Sequence, residues 1–257
     1  MANEPMTLAL DLRPFWIAGR FLTRLPFPDP GAIGPDELGR ALPWYPVVGL
    51  LIGLILALAA GLLAAGPPLV AAALILILWV WCTGALHLDG LADTADAWVG
   101  GLGDRERTLA IMKDPASGPA GVSALILVLL TKLACLQALI ATGDTWPLLW
   151  APLLGRAVLP LLFATTPYVR PGGLGAEQSH NARADHCRLA AAAGAVAVAL
   201  LGWPRGLLSL AAVAVLYVLV RRALIRRLGG FTGDTAGAIV ELCELAALLM
   251  PALTLGG

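Results

Sequence analysis

Asp89, Asp93 and Asp96 stand at i, i+4 and i+7 in the run His87-Leu-Asp-Gly-Leu-Ala-Asp-Thr-Ala-Asp96. On a helix, steps of about 100° per residue keep all three carboxylates within roughly 60° of arc. Three acids on one narrow stripe repel each other. They stay ionised together only with positive charge among them. A hard divalent cation such as Mg2+, held by oxygen ligands and shared with a substrate phosphate, meets that need. The competing reading is a solvated helix end with its acids in water. Apolar flanks argue against it. So do the small residues Gly90, Ala92, Thr94 and Ala95, which let another helix or a ligand come close.

A second acidic face lies near the end of the chain. Asp234 and Glu241 are two helical turns apart, and Glu244 follows Glu241 at i+3, so the three share a face. Gly237 and Ala238 lie on or near that face and favour close helix packing. At the helical rise, Glu241 sits about 10 Å and Glu244 about 15 Å beyond Asp234. Lys132 and Arg156 fall inside apolar runs. A charge near the centre of a membrane helix costs on the order of 3 kcal/mol, so these residues must face inward and compensate one another. Two readings stand side by side: a set facing substrate, or a structural ion-pair network such as Glu244 with Lys132 or Arg156. Lys113-Asp-Pro115, with Ser117 and Gly118, adds a loop donor and acceptor near the first stripe. The Gly-rich stretch 170–186 could close over a ligand, with His180 and His186 read as surface residues. Acids, a divalent cation and inward cations are the equipment of phosphoryl transfer.

The elements that must position these groups are helices in a membrane. The chain is 59% hydrophobic and 13% charged, against a charged share of about 25% in ordinary globular chains. Apolar runs approach the roughly 20 residues that cross a bilayer as a helix. The expected fold class is all-α: a polytopic membrane helical bundle of about seven transmembrane helices plus an N-terminal interfacial helix, in one integral-membrane domain over 1–257. The interfacial helix is expected over 8–25, where Phe, Trp and Leu mix with Asp11, Arg13, Arg20 and Arg24. Spans are expected at about 44–65, 69–88, 120–142, 147–166, 188–202 and 207–220, and from 229 to about 255. The second runs straight into the aspartate stripe. Net charge is zero with no basic patch, which excludes a nucleic-acid partner. Glu4, Asp11, Arg13 and Pro14 interrupt any signal-peptide core. Cys82, Cys135, Cys187 and Cys243 are scattered singly, without metal or disulfide spacing.

Charge in the connections tests this map. With a cytoplasmic N-terminus, the segments around Arg13–Arg40, Arg105–Lys113, Arg170–Arg188 and Arg221–Arg227 all fall on the cytoplasmic side, and only Arg205 falls outside. Both acidic faces then open towards the cytoplasm at the bacterial inner membrane.

The chain closely resembles the cobalamin synthase family, adenosylcobinamide-GDP ribazoletransferase. The resemblance rests on Phe21-Leu-Thr-Arg-Leu-Pro-Phe27, Pro43-Trp-Tyr-Pro-Val-Val-Gly49, the acidic run from His87 to Asp96, Met112-Lys-Asp114 followed by Gly118 and Gly121-Val122, Gly155-Arg156, and Gly230-Phe-Thr-Gly-Asp-Thr235 leading to Glu241. The resemblance implies a Mg2+-dependent step that joins adenosylcobinamide-GDP to alpha-ribazole, or its 5'-phosphate, and releases GMP. It implies metal ligands Asp89, Asp93, Asp96 and Asp234, with Asp93 or Asp96 as general base. It implies phosphate contacts from Lys113, Arg156 and Thr232. His87, Asp114, Lys132, Glu241 and Glu244 complete the expected substrate-binding set. Expected partners are the two substrates and the lipid bilayer, with a second copy of the chain or other cobalamin-assembly enzymes as candidate protein partners.

Rival readings come from chemistry of the same kind and from a different class. Asp89-Gly-Leu-Ala92 is similar to the Asp-Gly-x-x-Ala pattern of CDP-alcohol phosphotransferases, but Ala92 comes one position early and the Arg expected after Ala is absent, Asp93 standing there. An aspartate-rich intramembrane prenyltransferase is a second rival. A transporter would use midplane charges as an ion path, but the sequence shows no internal repeat.

Overall fold

Proline and glycine divide the chain into helices. The computed structural model describes residues 11–254. Residues 8–10 of the expected interfacial helix, Glu4, and the last residue of the expected final span lie outside the described residues. The helices are α1 (Arg13–Leu22), α2 (Pro35–Ala41), α3 (Tyr45–Leu62), α4 (Pro68–Thr83), α5 (Leu86–Gly100), α6 (Arg105–Ile111), α7 (Pro119–Ala141), α8 (Trp146–Thr165), α9 (Gly173–Asn181), α10 (Ala184–Leu201), α11 (Arg205–Leu228) and α12 (Gly233–Leu253). Proline occupies the first turn of α2, α3, α4, α7 and α8. Its fixed φ and missing N–H suit that position.

Helix α8 is the axis of the bundle. It packs against α3, α10 and α12, and it is buried from Trp150 to Pro160. Gly49 and Gly53 of α3 lie on its backbone. A Cβ at either would come within 2.4 Å or 2.5 Å of a carbonyl oxygen of α8. Such contacts are how membrane helices gain packing without a hydrophobic drive between them. Helix α12 packs on α8 and also meets α5, α7 and α11. Six helical segments are long and apolar enough to cross a membrane among the described residues, and α4 with α5 would make a seventh as a broken pair. The chain is a multi-pass, all-helical membrane protein. An isolated parallel bridge between Tyr168 and Phe231 ties the connection after α8 to the one before α12.

The structure corrects the second span. It does not run on through the aspartate stripe. Helix α4 stops at Thr83, and α5 leaves at 89° to it. Gly84 and Ala85 both take left-handed backbone, φ 58° and 59°. That conformation closes α4, because the N–H groups of Gly84 and Ala85 return to Trp81 and Val80. Ala85 is strained there, since a Cβ disfavours left-handed backbone. The backbone N–H of Arg24 donates to the Cys82 carbonyl at 2.8 Å and secures the same corner.

Three further boundaries move. The sixth span continues to Leu228 through the basic run, because Arg221 and Arg227 find partners at the bundle end. The connection 167–187 contains α9 and the start of α10. The N-terminal helix begins at Arg13 and ends at Leu22, burying Ile17, Ala18 and Leu22.

Candidate active site

Helix α5 crosses one end of the bundle, where α7 and α12 begin and α11 ends. At its start, Gly90 lies on the first turn of α12. A Cβ there would come within 2.6 Å of the Asp234 carbonyl oxygen. At its far end, Asp96 accepts the backbone N–H groups of Gly118 (2.7 Å) and Gly121 (2.9 Å). Arg227 of α11 donates to the Trp98 carbonyl at 2.7 Å and stacks 4.5 Å over the Trp98 ring. These contacts fix the direction in which the stripe points.

Where α5 meets α12 there is a cleft of about 200 Å³. Its polar side carries His87, Asp89, Asp234 and Gln178. Its apolar side carries Phe21, Tyr45, Phe163 and Tyr168. Gln178 of α9 donates to the Tyr45 hydroxyl at 2.7 Å and roofs this side. Burial raises the pKa of the Tyr168 phenol, so it stands at the cleft as a neutral hydroxyl. Asp93 lies one turn beyond Asp89 on the same face, within electrostatic reach of Asp234 and Arg170. The acidic faces of α5 and α12 therefore meet.

Arg170 was singled out by no motif, yet it belongs to this site. Its guanidinium donates to Asp234 Oδ2 at 2.6 Å. Its sequence signal was weak: one arginine in a Gly-rich connection. The Tyr168–Phe231 bridge brings that connection against the start of α12.

Several expected site residues have structural partners of their own. Asp96 has both carboxylate oxygens engaged by the start of α7, whose free N–H groups need acceptors. Thr232 is fully buried as the N-cap of α12: its Oγ1 accepts the Thr235 N–H, while Thr235 Oγ1 accepts that of Thr232. Lys113 and Asp114 stand exposed outside the cleft lining, and Asp114 accepts the N–H of Ala116.

Lys132, Arg156, Glu241 and Glu244 form a closed set below the cleft. Lys132 Nζ reaches Glu241 at 2.7 Å and Glu244 at 2.5 Å. It also lies 4.6 Å over the Trp79 ring. Arg156 pairs with the other oxygen of Glu244. Each of the four is less than 5% exposed. Two cations and two carboxylates cancel, which is how such charges persist in a membrane interior. The ion-pair alternative describes these four. Only Arg156 reaches towards the cleft, through His87 Nδ1 at 3.3 Å.

What fits a cation is then narrower than the expected four ligands. Among the described residues no ready-made cluster of three or more His, Cys, Asp or Glu closes around a metal position. A Mg2+ ion that keeps its waters needs only one or two carboxylates plus substrate phosphate. Asp89 and Asp234 meet that requirement at the cleft, with Asp93 one turn further along α5. A larger hollow, about 470 Å³, lies at the opposite bundle end between Trp146, Trp150 and Trp203. Its two charges, Asp144 and Arg205, pair with each other at 2.5 Å.

A family model described as cobalamin-5-phosphate synthase matches residues 14–252. A curated relative from Ectopseudomonas mendocina, named adenosylcobinamide-GDP ribazoletransferase, is 55% identical over 93% of this chain and 98% of its own. Relatives of the same name from Pseudomonas putida and Pseudomonas aeruginosa are 54% and 53% identical, each over 94% of this chain and 99% and 98% of their own. No solved structure matches the chain.

Proposed function

The chain belongs to the cobalamin-5-phosphate synthase family, as an enzyme of cobalamin synthesis, and from that premise we propose that it joins adenosylcobinamide-GDP to alpha-ribazole, or to its 5'-phosphate, with release of GMP. The observation that carries the proposal is the meeting of α5 and α12 at one cleft. It sets Asp89 beside Asp234, with Asp93 one turn further along α5 and Arg170 paired to Asp234. The reaction needs a place to hold a diphosphate and a base for an attacking hydroxyl.

When bound, Mg2+ would supply charge neutralisation of the diphosphate, with Asp89 and Asp234 as the cleft carboxylates able to hold it. The chain's own groups do the rest. A ribose hydroxyl oxygen attacks the phosphorus on the cobinamide side, and the bond from that phosphorus to the GMP oxygen breaks. Asp93 takes the hydroxyl proton, because Asp96 is committed to the start of α7. Arg170 stabilises charge on the leaving phosphate. Phe21, Tyr45, Phe163 and Tyr168 offer aromatic surface to a flat base. A cleft of about 200 Å³ takes the reacting end of so large a substrate, not the whole of it. The cleft faces the cytoplasm at the inner membrane: the basic residues around α6, α9 and the end of α11 cluster at its end of the bundle.

The test is GMP release by detergent-solubilised protein given adenosylcobinamide-GDP, alpha-ribazole and Mg2+. The expected result is release that stops on chelation and returns with Mg2+. Absence of release, with solute flux into liposomes instead, would overturn the reading in favour of a transporter.

A further inference from the structure

His87 stands between the buried charge set and the cleft. Arg156 lies against its Nδ1 at 3.3 Å. A guanidinium has five N–H donors and no acceptor. The ring nitrogen facing it must therefore be the lone-pair nitrogen. With Nδ1 as the acceptor, the ring's N–H lies on Nε2. His87 Nε2 has no hydrogen-bond partner among the described residues. The ring lines the cleft beside Asp89 and Asp234.

Arg156 is itself held. Glu244 pairs with it, Lys132 grips the other oxygen of Glu244, and Glu241 balances Lys132. The four charges sum to zero, so they place no net charge under the cleft. What they pass on is orientation.

We infer that Lys132, Glu241, Glu244 and Arg156 are positioning residues for His87, turning Nδ1 to Arg156 so that Nε2–H is left to donate to a phosphate oxygen of the substrate. This deepens the transferase reading and rests on it for the identity of the acceptor. The geometry at Nδ1 holds whatever the acceptor is.

The chain has three histidines, and His180 and His186 are exposed. A tag-free His180→Gln/His186→Gln protein keeps His87 alone, so its 15N signals need no assignment. The expected spectrum is a single Nε2–H tautomer with an unprotonated Nδ1. Adding Mg2+ and adenosylcobinamide-GDP without ribazole should move the Nε2 resonance and leave the tautomer unchanged. Replacing Arg156 and Glu244 together, as Arg156→Met/Glu244→Gln, leaves Lys132 and Glu241 as a neutral pair. It should release the tautomer to averaging and raise KM for the diphosphate substrate on the order of tenfold, with a smaller change in kcat. His87→Gln, which keeps an N–H near the place of Nε2, should retain more turnover than His87→Asn, which keeps only a group near Nδ1.

An averaged or Nδ1–H imidazole in the single-histidine protein overturns the inference, as does an Nε2 resonance that ignores the substrate while GMP release proceeds. A fixed Nε2–H tautomer in a protein that releases no GMP overturns the transferase reading instead, and leaves the orientation by Arg156 standing.

Discussion

Gly90 of α5 lies directly on the backbone of Asp234: a Cβ at position 90 would come within 2.6 Å of the Asp234 carbonyl oxygen and 3.0 Å of its Cα. No flexible side chain is available to move aside. The contact sets the distance between the two acidic faces. Gly90→Ala should push α5 off α12 at a cost of about 1–3 kcal/mol, the range for overpacking. Thermal unfolding in detergent should show the loss, and GMP release per folded molecule should fall with it. Unchanged turnover in Gly90→Ala would mean that the two faces need not be this close.

The three aspartates of the stripe should separate into two classes. Asp89→Asn and Asp93→Asn should lower kcat/KM roughly 100- to 1,000-fold, the range for removing one group that stabilises reacting charge, with little change in stability. For Asp89→Asn the Mg2+ concentration needed for half-maximal rate should rise. Asp96→Ala should do the reverse. It releases the N–H groups of Gly118 and Gly121 and should cost about 1 kcal/mol of stability, as lost helix caps do. Rate per folded molecule should stay near normal. Equal rate losses at all three positions would contradict the division.

The stripe and the second acidic face were legible because helical spacing alone puts their members together. Their meeting was legible as a consequence of charge: acids and bases inside apolar runs must face one another. The corner at Gly84-Ala85 was not legible. Leu86 to Leu88 continues the apolar run of α4, and a left-handed alanine gives no local warning. The division of labour within the stripe was hidden too, because spacing does not reveal that Asp96 meets the start of another helix. Thr232 is a phosphate contact by the resemblance alone, which does not show that it opens a helix. The same position makes it a cap. Arg170 escaped notice because its importance depends on a bridge between two connections far apart in sequence.

Arg170 should behave as a substrate contact whose free-state partner is Asp234. The pair is partly exposed, with side chains 25% and 18% accessible. A surface pair of that kind contributes little to stability. Arg170→Gln should therefore leave thermal unfolding within about 0.5 kcal/mol of the parent. Loss of a charge-assisted hydrogen bond to phosphate is worth about 1.5–3 kcal/mol, so KM for adenosylcobinamide-GDP should rise roughly 10- to 100-fold. KM for alpha-ribazole should barely move. A stability loss without a KM change would make Arg170 a fastener for the connection before α9 and nothing more.

Lys132 gives the sharpest contrast between a residue that touches substrate and one that does not. It is buried beneath the cleft, between Glu241 and Glu244. Lys132→Met leaves Glu241 without its direct ion-pair partner, and removing one member of a buried ion pair costs about 3–5 kcal/mol. Adding Glu241→Gln removes the stranded charge and leaves Glu244 with Arg156 as a neutral pair. The double variant should therefore be more stable than Lys132→Met, by well over the roughly 0.5 kcal/mol within which independent sites add. A lysine that gripped phosphate would show another pattern. Its single variant would keep its unfolding temperature and lose substrate affinity, and Glu241→Gln would rescue nothing. Unfolding and KM measured on the same three proteins decide between the two.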